Sequence, residues 1–339
     1  MSREYVPALS KCVKSFVSFL VKRITIPLLC AVFAFLSLSA CNKIVYTAKQ
    51  SENLRETIDF IQYWYCKNFD ETDWNLHISN LQKSGYRSII LQNTTKFDSD
   101  GFIKTQSDGN CFPTETVKKL LAVAERLDFG VYLGLAASDL WWNNDLYKEQ
   151  CEKWGKYQAE TAVMVYSAAS GYKCFEGFYM PFEVYTNTFG YEKYWAKTFN
   201  VLIEKLNSLA PQYPLVCSPY KSSLYRMNKN SIYSFAVRFI DNINFRAYDI
   251  IAPQDGSGSA SSDFDKKSEQ NVDDFLSAFY TASQKKAKCR FGVNIEFFSK
   301  EKGEFATATR IVKQREIANR YADIILSFSY SNYYAPKIG

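Results

Sequence analysis

The sequence predicts an α/β fold, a TIM (β/α)8 barrel whose eighth helix is short or absent. Short apolar runs alternate with longer amphipathic runs, and eight of the apolar runs have the length of a strand. Strands that alternate with helices pair in parallel through right-handed crossovers. Eight such strands within roughly 280 residues fit a sheet that closes on itself. Only nine residues follow Tyr330, too few for a full last helix.

The elements follow in order along the chain. The predicted strands are Ile58–Trp64, Ser88–Leu91, Gly130–Leu135, Phe178–Phe182, Leu215–Cys217, Asp249–Ala252, Phe291–Ile295 and Ile324–Phe328. The helical patterns between them are Asp73–Ser84, Thr114–Leu127, a segment within Asp145–Ser167, Glu192–Leu209, Ser231–Phe245, Val272–Lys286 and Gly303–Arg320. An open doubly wound sheet would need a glycine-rich turn after its first strand. Residues 63–67 contain no glycine.

The amino-terminal region is predicted to be a secretory signal over residues 1–40. Four basic residues at positions 11–23 precede the charge-free run Ile24–Ala40, the pattern of a signal peptide. Leu38-Ser39-Ala40-Cys41 resembles the lipobox of bacterial lipoproteins. That resemblance implies a lipid on Cys41, attachment to a membrane and a place in the bacterial cell envelope. The alternative is an uncleaved anchor, because 17 apolar residues are near the lower limit for a span.

Residues 41–56 are predicted to be a polar tether, and residues 57–339 the barrel domain. Residues 1–40 carry five basic side chains and one acidic one, so their removal lowers the formal charge from +6 to +2. A nearly neutral mature protein gives no support for nucleic acid binding. None of the six cysteines after Cys41 lies in a Cys-x-x-Cys pair. Buried free thiols are the favoured interpretation, and Cys66 with Cys111 is the only disulfide candidate.

Carboxylates supply the predicted chemistry. The only histidine, His77, lies within the first predicted helix, where it serves neither a nucleophilic triad nor a zinc site. Glu183 and Glu296 directly follow the fourth and seventh apolar strands, and Asp255 follows the sixth. Barrel enzymes place their chemistry at these strand ends. Glycosidic bond cleavage requires two such carboxyl groups.

Two other acidic features give weaker support for a functional site. Asp139 is interpreted as a solvated loop charge. A cation on Glu183, Asp255 and Glu296 is chemically conceivable, since hard cations bind oxygen ligands, but nothing in the spacing specifies one. No metal or cofactor is therefore predicted.

Aromatic residues make up 17% of the chain, and several stand at or just past the predicted strand ends. Aromatic rings stack on the apolar faces of sugars, while tyrosine and tryptophan also offer a polar edge. Together with the paired carboxylates they predict a carbohydrate partner. These residues are Trp64, Tyr65, Trp141, Trp142, Tyr179, Tyr185, Tyr220, Phe297 and Tyr333.

Six motifs in one order carry a resemblance to a known family. They are Phe60-Ile61-Gln62, Ile90-Leu91-Gln92, Phe178-Tyr179-Met180-Pro181-Phe182-Glu183, Pro253-Gln254-Asp255, Val293-Asn294-Ile295-Glu296-Phe297 and Ser327-Phe328-Ser329-Tyr330. Together they resemble a domain-of-unknown-function family of glycoside-hydrolase-like barrels found in bacterial lipoproteins. The resemblance spans roughly Thr57 to Pro336 and implies a TIM barrel with glycosidase activity.

The positions of the two glutamates also resemble those of clan A glycoside hydrolases, which are retaining. This implies that Glu183 is the general acid/base and Glu296 the nucleophile. The chain departs from the clan at Phe182, where an asparagine is usual, and from the family at Asn332, where a histidine is usual.

The sequence therefore predicts an exported, lipid-anchored glycoside hydrolase that acts on a polysaccharide or oligosaccharide. The alternative is a non-catalytic carbohydrate-binding lipoprotein on a degenerate barrel. The predicted substrate-binding residues are Asp255, Gln254, Trp64, Gln62, Gln92, Tyr179, Tyr185 and Tyr333.

Overall fold

The computed structural model describes residues 56–98, 101–103, 115–184, 190–220, 228–258, 264–299 and 304–336. The predicted signal, Cys41 and the tether up to residue 55 lie outside these residues, as do Cys111 and Tyr185, whereas Glu56 at the end of the predicted tether belongs to the first strand. Among the described helices, none combines the length and the apolar character that a membrane span requires.

Eight parallel strands form a closed barrel, which confirms the predicted fold class. Each strand pairs with the next one along the chain, and the last pairs with the first. The barrel strands are β1 (Glu56–Ile61), β2 (Ser88–Leu91), β5 (Gly130–Gly134), β7 (Phe175–Met180), β8 (Leu215–Cys217), β9 (Ile250–Ile251), β10 (Arg290–Glu296) and β13 (Ile324–Phe328).

Short strands in the connections form two further sheets beside the barrel. One contains β3 (Thr95–Asp98), β4 (Gly101–Ile103) and β6 (Ala136–Ala137). The other pairs β11 (Phe298–Ser299) with β12 (Glu304–Phe305). Both follow strands of the barrel at their carboxyl ends, so they shape the face at which the candidate site lies.

Helices connect the strands, as the alternating pattern predicted. They are α1 (Tyr63–Cys66), α2 (Glu71–Lys83), α3 (Glu115–Arg126), α4 (Asn144–Ala169), α5 (Glu192–Leu209), α6 (Lys229–Asn242), α7 (Lys266–Lys286), α8 (Ala308–Ala318) and α9 (Tyr330–Tyr333). Helix α9 is a single turn in place of a full eighth helix, as expected.

The predicted first strand was too long at its carboxyl end. It was expected to reach Trp64, but β1 ends at Ile61. Ile61 pairs with Leu91, the last residue of β2. Because no strand partner continues beyond that pair, residues 63–66 coil into helix α1 instead.

Polar contacts tie the two ends of the barrel sequence together. The carboxylate of Asp59, buried in β1, accepts hydrogen bonds from the backbone N–H groups of Tyr330 and Ser331, each at 2.7 Å. His77 in α2 is buried and lies 2.8 Å from the Ser331 hydroxyl through Nε2. Asp59 and His77 thus fix the position of the residues that follow β13, which agrees with the structural interpretation of His77.

Cysteines in the described residues are unpaired. Cys66, Cys151, Cys174 and Cys217 are buried free thiols, and Cys289 is a partly buried one. Cys66 donates instead to the backbone carbonyl of Gln62 at 3.6 Å. The favoured interpretation of buried free thiols holds for the first four of these residues, and Cys289 is a free thiol that is only partly buried.

Candidate functional site

The described site residues meet at the carboxyl ends of the barrel strands. Glu183 stands three residues after β7, and Glu296 is the last residue of β10. Gln254 and Asp255 follow β9, with Gln254 bridged to Asn294 of β10. The parallel sheet brings these positions to one end of the barrel, although 113 residues separate the two glutamates in the sequence.

Glu183 lies at the floor of a cavity and is partly exposed. Burial raises the pKa of its carboxyl to about 7, and a hydrogen bond from the Gln254 side chain acts in the opposite direction. Tyr179 lies below it in β7, buried against Phe60 with ring centroids 4.9 Å apart. Burial, and then the charge of Glu183, raise the pKa of the Tyr179 hydroxyl. At a pKa of about 7, roughly half of the Glu183 carboxyls carry a proton at neutral pH.

Glu296 is almost fully enclosed, at 1% exposure. Its Oε2 accepts a hydrogen bond from the backbone N–H of Gly258, whereas Oε1 has no hydrogen-bond partner. Burial raises the pKa of Glu296 to about 8, and the charges of Asp255 and Glu183 act in the same direction. The charge of Glu183 contributes less to this shift than burial and the charge of Asp255.

Gly258 can approach Glu296 closely because it has no side chain. A Cβ atom at this position would lie 2.5 Å from the ring of Phe298. Tyr333, in α9, is half-buried on the same side of the site. Burial, and then the charge of Glu296, raise the pKa of Tyr333. The charge of Glu296 thus acts on Tyr333, whose role in substrate binding stays a prediction.

Asp255 is enclosed by protein donors. Its Oδ1 accepts from the backbone N–H groups of Ser257 at 3.0 Å and Glu296 at 3.4 Å. Its Oδ2 accepts from Nε2 of Gln314 at 2.6 Å. Burial raises the pKa of Asp255 while these hydrogen bonds lower it. With both oxygens engaged and 4% exposure, Asp255 joins the loop after β9 to the end of β10, where Glu296 lies.

Sequence reasoning missed two residues behind this loop. Arg310 and Gln314 lie on the buried face of α8. Arg310 Nη1 donates to the Ser257 carbonyl at 3.3 Å, and Nη2 donates to the carbonyls of Glu296, at 3.1 Å, and Phe298. Its Nε donates to Gln314 Oε1 at 3.2 Å. We call Asp255, Arg310 and Gln314 the buried clamp, because they join the loops after β9 and β10.

The cavity in front of Glu183 has a volume of about 620 Å³, within the range of small-molecule sites. It is bounded by the loops after β1, β2, β5 and β7. Gln62 and Gln92 line it and are joined by a hydrogen bond of 2.9 Å. Asn332 donates to Gln62 Oε1 at 2.8 Å. Asn332, at the position where the family resemblance implies a histidine, thus orients the amide pair at the cavity floor.

Two tryptophans stand out of the protein surface at this cavity. Trp64 is 63% exposed and Trp142 is 52% exposed, and both line the cavity. Trp142 packs on buried Trp141 with ring centroids 3.8 Å apart. The remaining large hydrophobic side chains that are exposed in the described residues are aliphatic or phenylalanine and are not among the cavity's lining residues. Exposed tryptophan is thus concentrated in the described chain at the cavity that contains Glu183.

The packing of Phe182 accounts for a phenylalanine before Glu183, at the position where clan A glycoside hydrolases usually have an asparagine. It is 1% exposed and packs against Trp141, with nearly parallel rings and centroids 6.0 Å apart. It also contacts Trp154 of α4, with centroids 6.2 Å apart. Its ring therefore fills the aromatic layer between barrel and helices. A polar side chain at position 182 would be buried in that layer without a hydrogen-bond partner.

Metal binding was not predicted. Within the described ranges, no three acidic, histidine or cysteine side chains are grouped so as to hold a metal ion.

Solved structures with the same fold include several glycoside hydrolases. A putative α-L-fucosidase from Bacteroides thetaiotaomicron VPI-5482 superposes with a TM-score of 0.63 at 18% identity, over 84% of this chain and 88% of that one. The endo-1,4-β-D-mannanase of Thermotoga petrophila RKU-1 gives a TM-score of 0.57 at 10% identity, covering 81% and 88%. At these identities the likeness establishes the fold.

Curated proteins include no match to this sequence. A family model, however, matches residues 59–338, which is nearly the whole barrel. Its description is "Domain of unknown function (DUF4434)", in agreement with the resemblance drawn from the six motifs. The chain therefore belongs to the DUF4434 family.

Proposed function

We propose that the protein is a glycoside hydrolase that acts on a polysaccharide or oligosaccharide outside the cytoplasm. One observation carries the proposal. Glu183 and Glu296, at the ends of the fourth and seventh barrel strands, interact electrostatically, and Glu183 opens into a cavity with two exposed tryptophans. Glycoside hydrolysis requires two carboxyl groups, one of them a general acid with a raised pKa, and exposed tryptophans offer faces on which sugar rings can stack.

Glu183 would be the general acid. A carboxyl whose pKa is about 7 still carries a proton near neutral pH, and it would give that proton to the leaving oxygen as the glycosidic bond breaks. Glu296 would attack the anomeric carbon and form a glycosyl ester, and Glu183 would then deprotonate the water that cleaves this ester. Oε1 of Glu296 is the attacking atom in this scheme, because Oε2 is held by Gly258.

Acid and nucleophile need opposite protonation states. Glu296 must be ionised to attack, and its pKa of about 8 makes the ionised form scarce at low pH. Glu183 must be protonated to donate, and it loses its proton above about pH 7. The rate should therefore follow a narrow bell-shaped curve centred between about pH 7 and 8.

A second function has its own supporting observation. Glu296 is 1% exposed and is not among the residues that line the cavity. This favours a non-catalytic carbohydrate-binding lipoprotein in which Trp64, Trp142 and the Gln62–Gln92 pair hold the glycan. In that case sugars bind in the cavity and no bond is broken.

The test begins with a glycan array, followed by measurement of released reducing ends on each glycan that binds. Glu183→Gln should slow glycosides with poor leaving groups far more than activated aryl glycosides, which leave without protonation. Glu296→Gln should slow both alike, because no glycosyl-enzyme forms. Glu204→Gln, an exposed glutamate of α5, is the matched control.

Four results test the two functions and the assigned roles. Leaving-group dependence in Glu183→Gln alone supports the hydrolase. Turnover within a few-fold of wild type in both variants contradicts the assigned roles, and inversion at the anomeric carbon, seen by proton NMR of the first product, contradicts the retaining mechanism. Tight binding without any bond cleavage supports the binding protein.

The same proposal includes a lipid on Cys41 that holds the protein at the bacterial cell envelope. Its support is the run Leu38-Ser39-Ala40-Cys41 at the end of a charge-free segment, as in a secretory signal. A polar tether of residues 42–56 would place the barrel within reach of envelope polysaccharides.

A further inference from the structure

The cavity carries two lysines in addition to its tryptophans. Lys67 and Lys96 both line it and are exposed. Neither forms an ion pair with a carboxylate of the described residues, whereas other lysines of the chain do, among them Lys118, Lys197 and Lys313. Unpaired ammonium groups at a binding cavity attract anionic ligands.

The backbone fixes the position of both lysines. Lys67 follows Trp64 by three residues and is the C-terminal cap of α1, and its carbonyl accepts from the Thr116 hydroxyl at 2.8 Å. Lys96 lies in β3 between buried Thr95 and Phe97. Lys96 is exposed and lines the cavity together with Phe97.

The described residues that line the cavity carry less negative charge than positive charge. Apart from Glu183, the carboxylate among the described lining residues is that of Asp139, which is exposed on the turn after β6. Glu183 is the proposed proton donor and is neutral when it acts. In the described part of the lining, two cations thus stand against one exposed anion beside two tryptophans.

We propose that this cavity binds an anionic glycan, with Lys67 and Lys96 pairing with carboxylate or sulfate groups while Trp64 and Trp142 stack on the sugar rings. This inference rests on the proposed function, which takes a carbohydrate as the ligand. It adds that the carbohydrate is negatively charged. Lysine binds such groups as a point charge, which accommodates either carboxylate or sulfate.

The experiment uses the full-length protein in detergent and an array of glycans in matched pairs. One set contains oligogalacturonates with their uncharged methyl esters, and the other contains sulfated galactans with their desulfated forms. Wild type should prefer an anionic member over its neutral partner by about tenfold at low ionic strength. Raising the salt from about 0.05 to 0.5 M should remove most of that preference.

Variants assign the effect to the cavity. Lys67→Gln and Lys96→Gln should each weaken anionic binding by about threefold and leave neutral binding unchanged. Asp139→Asn should strengthen anionic binding, because it removes the opposing charge. Lys205→Gln, an exposed lysine of α5, should change neither. Trp64→Ala should weaken both members of a pair.

The outcomes separate the two proposals. The uronate and sulfate sets show which acidic group is preferred, and either preference supports the inference. Neutral glycans that bind as well as their anionic partners, or lysine variants that match Lys205→Gln, overturn the anionic ligand and leave the hydrolase proposal standing. An array on which no glycan binds overturns both.

Discussion

Glu296→Gln tests the buried carboxyl without any knowledge of the substrate. Glutamine keeps the size of the side chain and cannot ionise. In the unfolded chain Glu296 loses its proton near pH 4.5, but in the folded protein it keeps that proton until about pH 8. The folded state therefore binds more protons than the unfolded state between these values, and the free energy of unfolding falls as pH rises.

The magnitude follows from the two pKa values. At about 1.36 kcal/mol per pKa unit, a rise from 4.5 to about 8 lowers the free energy of unfolding by on the order of 3–5 kcal/mol by pH 8. Below pH 4.5 both states hold the proton and the contribution vanishes. Glu296→Gln should accordingly gain stability relative to wild type as pH rises from about 5 to 8.

Urea unfolding, followed by tryptophan fluorescence at several pH values, measures this difference. The comparison between wild type and variant is the informative quantity, because Asp255 titrates in both proteins. Glu204→Gln removes an exposed carboxyl and should show a small difference that does not change with pH. A wild-type-to-Glu296→Gln difference that stays constant from pH 5 to 8 would refute the reasoning, since it would mean that Glu296 is ionised throughout.

Three further predictions concern the rest of the chain. Asp249→Asn removes the partner of Arg246, a buried pair 2.7 Å apart, so urea unfolding should show a loss of about 3–5 kcal/mol, while glycan binding at the other end of the barrel is unchanged. Burial lowers the pKa of His77 to about 4, so wild type should lose stability as pH falls from about 6.5 to 4. His77→Gln should lose less stability over this range, and equal losses would contradict a buried, neutral His77. Cys41→Ser should abolish palmitate labelling and leave the precursor unprocessed, and a variant that still labels would show that Cys41 is not the lipidated residue.

The positions of Glu183 and Glu296 were accessible from the sequence because each follows an apolar run whose end lies at one face of the barrel. Their hydrogen-bond partners were not, because contacts such as Gln254 to Glu183 depend on how two loops meet in space. The residue at which β1 ends could not be predicted from its own segment, because it is set by pairing with Leu91 at the end of β2.

Arg310 and Gln314 could have been found. Together with Ile317 and Ala318 they recur at helical spacing on the buried face of α8, so polar residues interrupt an apolar stripe, a pattern that indicates a buried polar network. The cavity itself could not be predicted from the sequence, because it is formed by four connections whose conformations are set by tertiary contacts.

Asp59 has a kinetic consequence for this barrel. Its hydrogen bond to the Ser331 N–H spans 272 residues, and β1 pairs with β13 near the end of the chain. Contacts between such distant residues form slowly, because the entropy of closing the loop must be overcome first. During synthesis β1 has no partner on one side until residues 324–328 have emerged. The barrel therefore cannot close on a partly made chain, and the edge of β1 stays open until nearly all of residues 56–328 have been made.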